Sequence, residues 1–318
     1  MHSFGTRRPG AASAVALALL VAALAGCQGG GTTSAPSSSE PSGPAGSRAH
    51  VLAVKIDNVG PARPQTGLDK ADIVYVEQVE AGLSRMLAAY SSRLPGVVGP
   101  VRSARETDLE LLRQFDRPTL AFSGAQSKLL PAIAAAPLEP LTPETDPDAY
   151  FRGSDRAAPH NLYLRPARAS HTTTGANAAE DIGLRFAAAV PGGKRVAGRT
   201  VGYPAARFSF TWSAERSRWL VSMDGTPART ADGARLAAAD VVVQYVTVRP
   251  SLYQDRWGSK SPCTETVGSG SAVVLRDGKE YDVKWSRPAA DAVTSFTTRD
   301  GERMTFAPGQ VWIVFASK

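Results

Sequence analysis

Cysteine and histidine are scarce in this 318-residue chain, which has two of the first and four of the second. Two cysteines cannot build a disulfide scaffold or a Cys-rich zinc site. The His-Glu-x-x-His of zinc proteases, the Gly-x-Ser-x-Gly of serine hydrolases, the P-loop and the Gly-x-Gly-x-x-Gly dinucleotide fingerprint are all missing. No lysine has a serine three residues before it, which removes the Ser-x-x-Lys of penicillin-binding enzymes. The one long uncharged apolar run, residues 11–26, has 16 residues. That is shorter than the roughly 18–20 needed to span a bilayer comfortably. Hydrophobic residues nevertheless make up 43% of the chain and charged residues 20%, enough for a real core.

The first 49 residues read as an export and anchoring signal. Arg7 and Arg8 form a positive n-region, residues 11–26 the apolar h-region, and Leu24-Ala25-Gly26-Cys27 resembles a bacterial lipobox. In that reading the Cys27 thiolate takes a diacylglyceryl group, and several acyl chains on one residue satisfy the need for more than one membrane signal. Arg7-Arg8 lacks the rest of a twin-arginine pattern, so the general secretion route is expected. A Gly/Ser/Thr/Pro tract follows, and residues 27–49 form a flexible tether with a reach of about 25 Å. Removing residues 1–26 takes away two arginines and no acid, lowering the formal charge from +7 to +5. The expected location is the outer, extracytoplasmic face of the cell membrane. Nucleic acid is excluded as a partner by that compartment. Anionic envelope polymers, headgroups or envelope proteins remain, although an arginine-rich composition alone also accounts for the surplus. Lipidation of Cys27 leaves Cys263 without an intramolecular partner, and only Lys260 lies near it, so a catalytic thiol is not expected.

Beyond the tether the periodicity changes once. Residues 50–200 alternate strand-like and helix-like segments, the expectation for an N-terminal mixed α/β domain. Residues 51–56, 72–79, 83–90 and 118–122 read as strands, the second and third as a hairpin. Ser103-Ala-Arg-Glu106 has the capping-box form, followed by Leu109, Leu112 and Phe115 on one helical face. Further helices are expected through Leu129, Leu130 and Ile133 and over residues 176–189. Residues 201–318 read as an antiparallel β-rich C-terminal domain, a small barrel or sandwich. Strands fall at 208–212, 219–223, 240–248 and 311–315, with hairpins at Asp277-Gly278 and Asp300-Gly301. The tryptophans mostly alternate like core residues; a carbohydrate-stacking platform is the alternative.

Three groups of residues carry candidate chemistry. Gly99-Pro-Val-Arg-Ser-Ala-Arg105 runs into a helix start, where unpaired N–H groups and the guanidinium groups of Arg102 and Arg105 suit an anion; ion pairing with nearby carboxylates is the structural alternative. Asp57 and Asn58 follow a strand, the place where α/β sheets hold ligands. On the strand 72–79, Ile73, Tyr75, Glu77 and Val79 share one face, so Glu77 is either paired with an arginine or functional. A two-residue turn at Ala81-Gly82 would set Gln78 opposite Arg85 and pair Arg85 with Glu80. The third group is Arg152 with His160-Asn161-Leu-Tyr163, a ligand-orienting loop or a hydrogen-bonded corner. Neither a metal site nor a cofactor is expected.

The ordered set Val54-Lys-Ile-Asp-Asn58, Ala62-Arg-Pro-Gln-Thr-Gly-Leu68, Ala71-Asp-Ile-Val-Tyr75, Glu80-Ala-Gly-Leu-Ser-Arg85, Gly99-Pro-Val-Arg-Ser-Ala-Arg105 and His160-Asn-Leu-Tyr163 resembles the YerB-like lipoproteins. Gly268-Ser-Gly270, Asp277-Gly-Lys279, Trp285, Asp300-Gly301 and Pro308-Gly309 continue the likeness, which covers roughly residues 51–315. Ala81 departs from it, standing where glycine is expected. The resemblance implies a membrane-anchored extracytoplasmic protein with an N- and a C-terminal family domain, and supplies no reaction. The ligand set expected from all of this is Arg102, Ser103, Arg105, Asp57, Asn58, Arg63, Glu77, Arg85, Ser123, His160 and Asn161. The leading expectation is a binder of an anionic envelope ligand or a protein partner. The rival is an enzyme on phosphate-bearing envelope substrates, with an Arg clamp and Asp57 or Glu77 as base or metal ligand.

Overall fold

Parallel strand pairing in the middle of one large sheet ties the first half of the chain to the last. The computed structural model describes residues 50–169, 177–254, 258 and 260–318. The expected signal peptide, Cys27 and the expected tether therefore lie outside the described residues, as do His171 and Trp257.

The principal elements are β1 (Leu52–Asp57), β2 (Ile73–Gln78), β3 (Ser84–Tyr90), α1 (Glu106–Leu111), β4 (Thr119–Ala121), α2 (Leu130–Ala135), β5 (Glu139–Leu141) and α3 (Ala178–Asp181). They continue with β6 (Gly198–Tyr203), β7 (Ala206–Ser213), β8 (Arg218–Met223), β9 (Asp240–Val246), β10 (Val248–Gln254), β11 (Lys260–Thr264), β12 (Gly268–Arg276), β13 (Lys279–Arg287), β14 (Ser295–Thr298) and β15 (Val311–Ser317). Ten of them form one sheet in the order β14-β13-β12-β9-β15-β2-β3-β1-β4-β5, with the short strand Lys194–Arg195 beside β13. The fold is thus mostly β with a mixed sheet. β15 lies between β2 and β9, parallel to both, so Val311 faces Ile73 on one side and Asp240 on the other. The expected small antiparallel barrel or sandwich is corrected here. The strands of residues 240–317 join the sheet of residues 52–141, and two of their pairings are parallel.

A second sheet of β6, β7 and β8, with the short strands Thr226–Pro227 and Ala237–Ala238, covers one face of the large one. Period-2 alternation along β7 and β8 sends Phe208, Phe210, Trp219 and Val221 inward. Phe208 and Phe210 pack on Trp312 at ring separations of 6.2 and 5.9 Å. Trp219, Trp285 and Trp312 are all buried, which makes them core residues. The opposite face carries the helices: Leu111, Phe115, Ile133 and Ile182 join Tyr75, Ile313 and Phe315 in the second core.

The helices are shorter than the apolar periodicity predicts. Of the helix expected over residues 176–189, the described residues 177–189 give only the four-residue α3 and the two-residue strand Arg185–Phe186, with Gly183 at φ 92° between them. Glycine in the left-handed region ends a helix there. The Asp277-Gly278 turn joins β12 to β13 with φ of 50° and 72°, the primed geometry a two-residue hairpin needs.

Candidate functional site

β1, β2, β4 and β5 all run the same way, so their carboxyl ends lie along one edge of the sheet. On the helix-covered face, β1 presents Ala53, Lys55 and Asp57, β2 presents Ile73, Tyr75 and Glu77, and β3 presents Arg85, Leu87 and Ala89. Each strand changes from apolar to charged as it nears this edge. The segment around Pro100 closes it over. Asp57 N–H donates to the Pro100 carbonyl at 2.9 Å, Arg102 N–H to that of Lys55 at 2.8 Å and Val101 N–H to that of Leu162 at 2.7 Å.

Lys55 is the buried centre of the cluster, fully inaccessible, with its Nζ donating to Glu77 Oε1 and to Asp108 Oδ1, the latter at 2.7 Å. Asp108 Oδ2 accepts the N–H of Arg105 at 2.7 Å. The other oxygen of Glu77 has no partner among the described residues, and burial pushes the Glu77 carboxyl up against the opposing pull of Lys55. Arg105 reaches Glu80 through Nη2 at 2.9 Å and Nε at 2.8 Å, and Ser261 of β11 donates to the same carboxylate. Burial raises Glu80, but the hydrogen bonds and charge of Arg105 outweigh it and hold the carboxyl at about 2. Nearer the surface, Asp57 Oδ2 meets His160 Nδ1 at 2.9 Å and Arg102 Nε at 3.2 Å.

Arg85 stands apart from these pairs. It is 9% exposed, and its one side-chain hydrogen bond among the described residues, from Nη1 to the Ser103 carbonyl, is long at 3.3 Å. No carboxylate lies within ion-pair distance of it among the described residues. Burial and the neighbouring Arg105 guanidinium lower its pKa to about 10, Glu80 and Asp57 opposing. None of its nitrogens is a buried orphan, so the unused donors of the guanidinium keep contact with solvent, from which an anion can reach them.

Seven of the expected ligand residues therefore converge: Asp57, Glu77, Arg85, Arg102, Ser103, Arg105 and His160. Their partners differ from expectation in three places. Glu77 pairs with a lysine rather than an arginine. The loop between β2 and β3 holds the one-turn helix Glu80–Gly82, so the register sets Glu77 opposite Arg85 and Gln78 opposite Ser84, and Glu80 pairs with Arg105 instead. The N-cap of α1 is Arg105, not Ser103, and the Asp108 carboxylate already takes a first-turn N–H. Anion binding by that helix start is accordingly set aside. Asn58 and Arg63 form an adjacent corner: Asn58 Oδ1 accepts from Arg63 at 3.1 Å and Gln65 at 3.0 Å, and Arg63 pairs with Asp224 at 2.8 Å. Ser123 enters through its backbone, donating to the Arg102 carbonyl at 3.0 Å, and Asn161 accepts from Arg152 at 2.8 Å. Among the described residues no three His, Cys, Asp or Glu side chains are grouped to hold a metal.

Sequence reasoning passed over Lys55, and took Asp108 only as one of the carboxylates that could pair with Arg102 or Arg105. The signal for Lys55 was there, a single charge inside an otherwise apolar strand; nothing marked Asp108 as its partner, because helix first turns are often acidic. Beyond the 99–104 segment lies a cleft of about 540 Å³ at the ends of β4 and β5, lined by Phe122, Ser123, Leu130, Glu144 and Arg152 among others. The C-terminal half also borders the site. Glu106 of α1 accepts from Arg249 at 2.7 Å and from the Leu252 N–H at 2.8 Å, and Glu110 from the Thr266 N–H at 2.7 Å.

No helix among the described residues is long and apolar enough to cross a membrane. A Bacillus subtilis (strain 168) protein named "Putative lipoprotein YerB" is 39% identical over 114 residues, covering 35% of this chain and 34% of that one. The matched part thus spans about a third of the relative's length. The crystal structure of the YerB protein from Bacillus subtilis superposes with a TM-score of 0.69 at 21% identity, covering 84% of this chain and 91% of that chain, which shows a shared fold. The N-terminal domain of the protein of unknown function DUF3048 matches residues 38–179, and its C-terminal domain matches residues 199–313. The chain belongs to this two-part DUF3048 family.

Proposed function

We propose that this chain is a lipid-anchored protein of the outer membrane face that binds a phosphate- or carboxylate-bearing envelope ligand at Arg85 and Arg102. The observation that carries the reading is Arg85, nine-tenths buried, within ion-pair distance of no carboxylate among the described residues and under the opposing charge of Arg105 and Arg102. Every other buried charge at this edge has an opposite partner. An anion entering beside Arg102, whose side chain is 27% exposed, would complete the set. The lipobox at Cys27 and the name of the Bacillus relative support the anchor.

Thermal unfolding of the purified protein with inorganic phosphate, citrate and anionic wall polymer tests the binding. A ligand at a hundred times its dissociation constant should add about 2.7 kcal/mol. Arg102→Ala should remove the shift; a shift that survives in that variant, or none with any anion, sinks the reading and turns the search to protein partners. Cys27→Ser should release the protein from the membrane fraction.

The pairing of Asp57 with His160 at 2.9 Å favours a second reading, hydrolysis of a phosphate-bearing substrate. A carboxylate on Nδ1 orients an imidazole as a general base through Nε2. In that case Asp57→Asn abolishes turnover while ligand-induced stabilisation persists; a protein that binds but turns over nothing rejects it.

A further inference from the structure

We infer that the cleft at the ends of β4 and β5 holds the sugar ring of a phosphorylated carbohydrate whose phosphate lies on Arg85 and Arg102. This rests on the anion reading and adds the ligand class. The cleft and the charged edge share one wall: Arg102 and Ala104 are bonded through their backbones to Ser123 and Gly124, and Val101 to Leu162, all three lining the cleft. His160 on Asp57 is followed by Asn161, which holds the cleft residue Arg152. Neither Arg85 nor Arg102 lines the cleft itself, so a ligand that binds both sites passes over the rim of that wall.

The lining selects among bodies for such an anion. Phe122 and the 44% exposed Leu130 offer an aliphatic and aromatic floor, while Glu144 and Arg152 stand exposed at the mouth. Charged groups of both signs at the rim oppose an acyl chain. A nucleobase needs a free aromatic face, and Phe151 has none: Tyr163 stacks on its ring at 5.4 Å and the Arg165 guanidinium sits 3.8 Å from the ring centre. The Tyr150 hydroxyl is also committed, donating to the Leu141 carbonyl at 2.7 Å. What remains is a site with an acceptor (Glu144), a multiple donor (Arg152) and a small apolar floor, which suits a ring bearing hydroxyls on its edge and C–H groups on its face. The volume of about 540 Å³ takes a mono- or disaccharide. Glu144 repels the phosphate, so the anionic end is directed away from the cleft mouth and toward the arginines.

Calorimetry of the full chain with inorganic phosphate, unphosphorylated glucose, and the 1-phosphates of glucose, galactose and N-acetylglucosamine tests this. At least one sugar phosphate should bind tenfold or more tighter than phosphate, and glucose alone should bind weakly. In Glu144→Gln and in Leu130→Ala, both surface changes with little effect on folding, that tenfold ratio should fall toward one. Phosphate binding with no sugar phosphate tighter, or a ratio unchanged in both variants, overturns the sugar inference and leaves the anion reading standing. No binding of any anion overturns both. Comparing each monoester with its methyl phosphodiester separates a free sugar phosphate from one within a polymer or lipid-linked chain.

Discussion

Replacing Lys55 by methionine should cost this protein about 3–5 kcal/mol, the usual penalty for leaving buried charge without its partner. The magnitude follows from the geometry. Lys55 Nζ lies 2.7 Å from Asp108 Oδ1 with neither side chain accessible, and Glu77 shares the same ammonium. At an effective dielectric constant of about 20, one such contact is worth about 6 kcal/mol before desolvation is subtracted. Methionine fills nearly the same volume, so a cavity contributes little and the loss reports electrostatics. Urea unfolding followed by tryptophan fluorescence measures it, and the melting temperature should drop by roughly 8–15 °C. The pH dependence has a definite sign. The folded pKa of Glu77 is already raised above its ordinary 4.5, so its burial opposes folding once the unfolded chain ionises, and removing Lys55 raises it further. The deficit of the variant should therefore be smallest below about pH 4.5 and grow toward neutrality, and adding Glu77→Gln should recover part of it at pH 7. A deficit under about 1 kcal/mol, or one that is flat with pH, would refute the reasoning.

Four further outcomes are expected. Glu80, held at about 2 against an ordinary 4.5, contributes stability that is present above the higher value and lost as the pH falls through the lower; Glu80→Gln should flatten the stability profile between pH 4.5 and 2 in acid titrations. Ala81 sits at φ 56°, so Ala81→Gly should stabilise the turn by about 0.5–1 kcal/mol in thermal melts. Its neighbour Gly82 should not tolerate alanine, since a Cβ there would lie 2.5 Å from Pro204 Cβ. Burial pushes the Cys263 thiol up to about 12, so in a Cys27→Ser background a disulfide-exchange reagent at pH 8 should label it only as fast as the protein unfolds.

Much of the strand inventory was legible locally. β1, β2 and β9 are runs of β-branched and aliphatic residues, and β12 and β13 frame an Asp-Gly turn that needs positive φ at both positions. The insertion of β15 between β2 and β9 was not legible, because Val-Trp-Ile-Val-Phe carries no mark of which edge it will fill. Nor was the register of the β2–β3 hairpin, which turned on Ala81 taking a left-handed conformation that alanine disfavours and so lengthened the loop. Of the site, the arginines, Asp57 and His160 could be named from their places after strands and before a helix. Which acid meets which base depended on that one-residue register, and the isolation of Arg85 is a property of its neighbours rather than of its own sequence context.

The position of β15 also orders the folding of this protein in time. While the ribosome is still making residues before Val311, β2 and β9 each present a bare edge of unpaired N–H and C=O groups. Neither half-sheet can be finished by its own residues, so a partly made chain holds two sticky ribbons meant for one late strand. A chain without that strand thus stays open, and the strand's arrival closes both edges in a single step. Shortening the chain before Val311 should then yield an aggregating product rather than a stable fragment, and a peptide of residues 311–317 supplied in excess should suppress that aggregation.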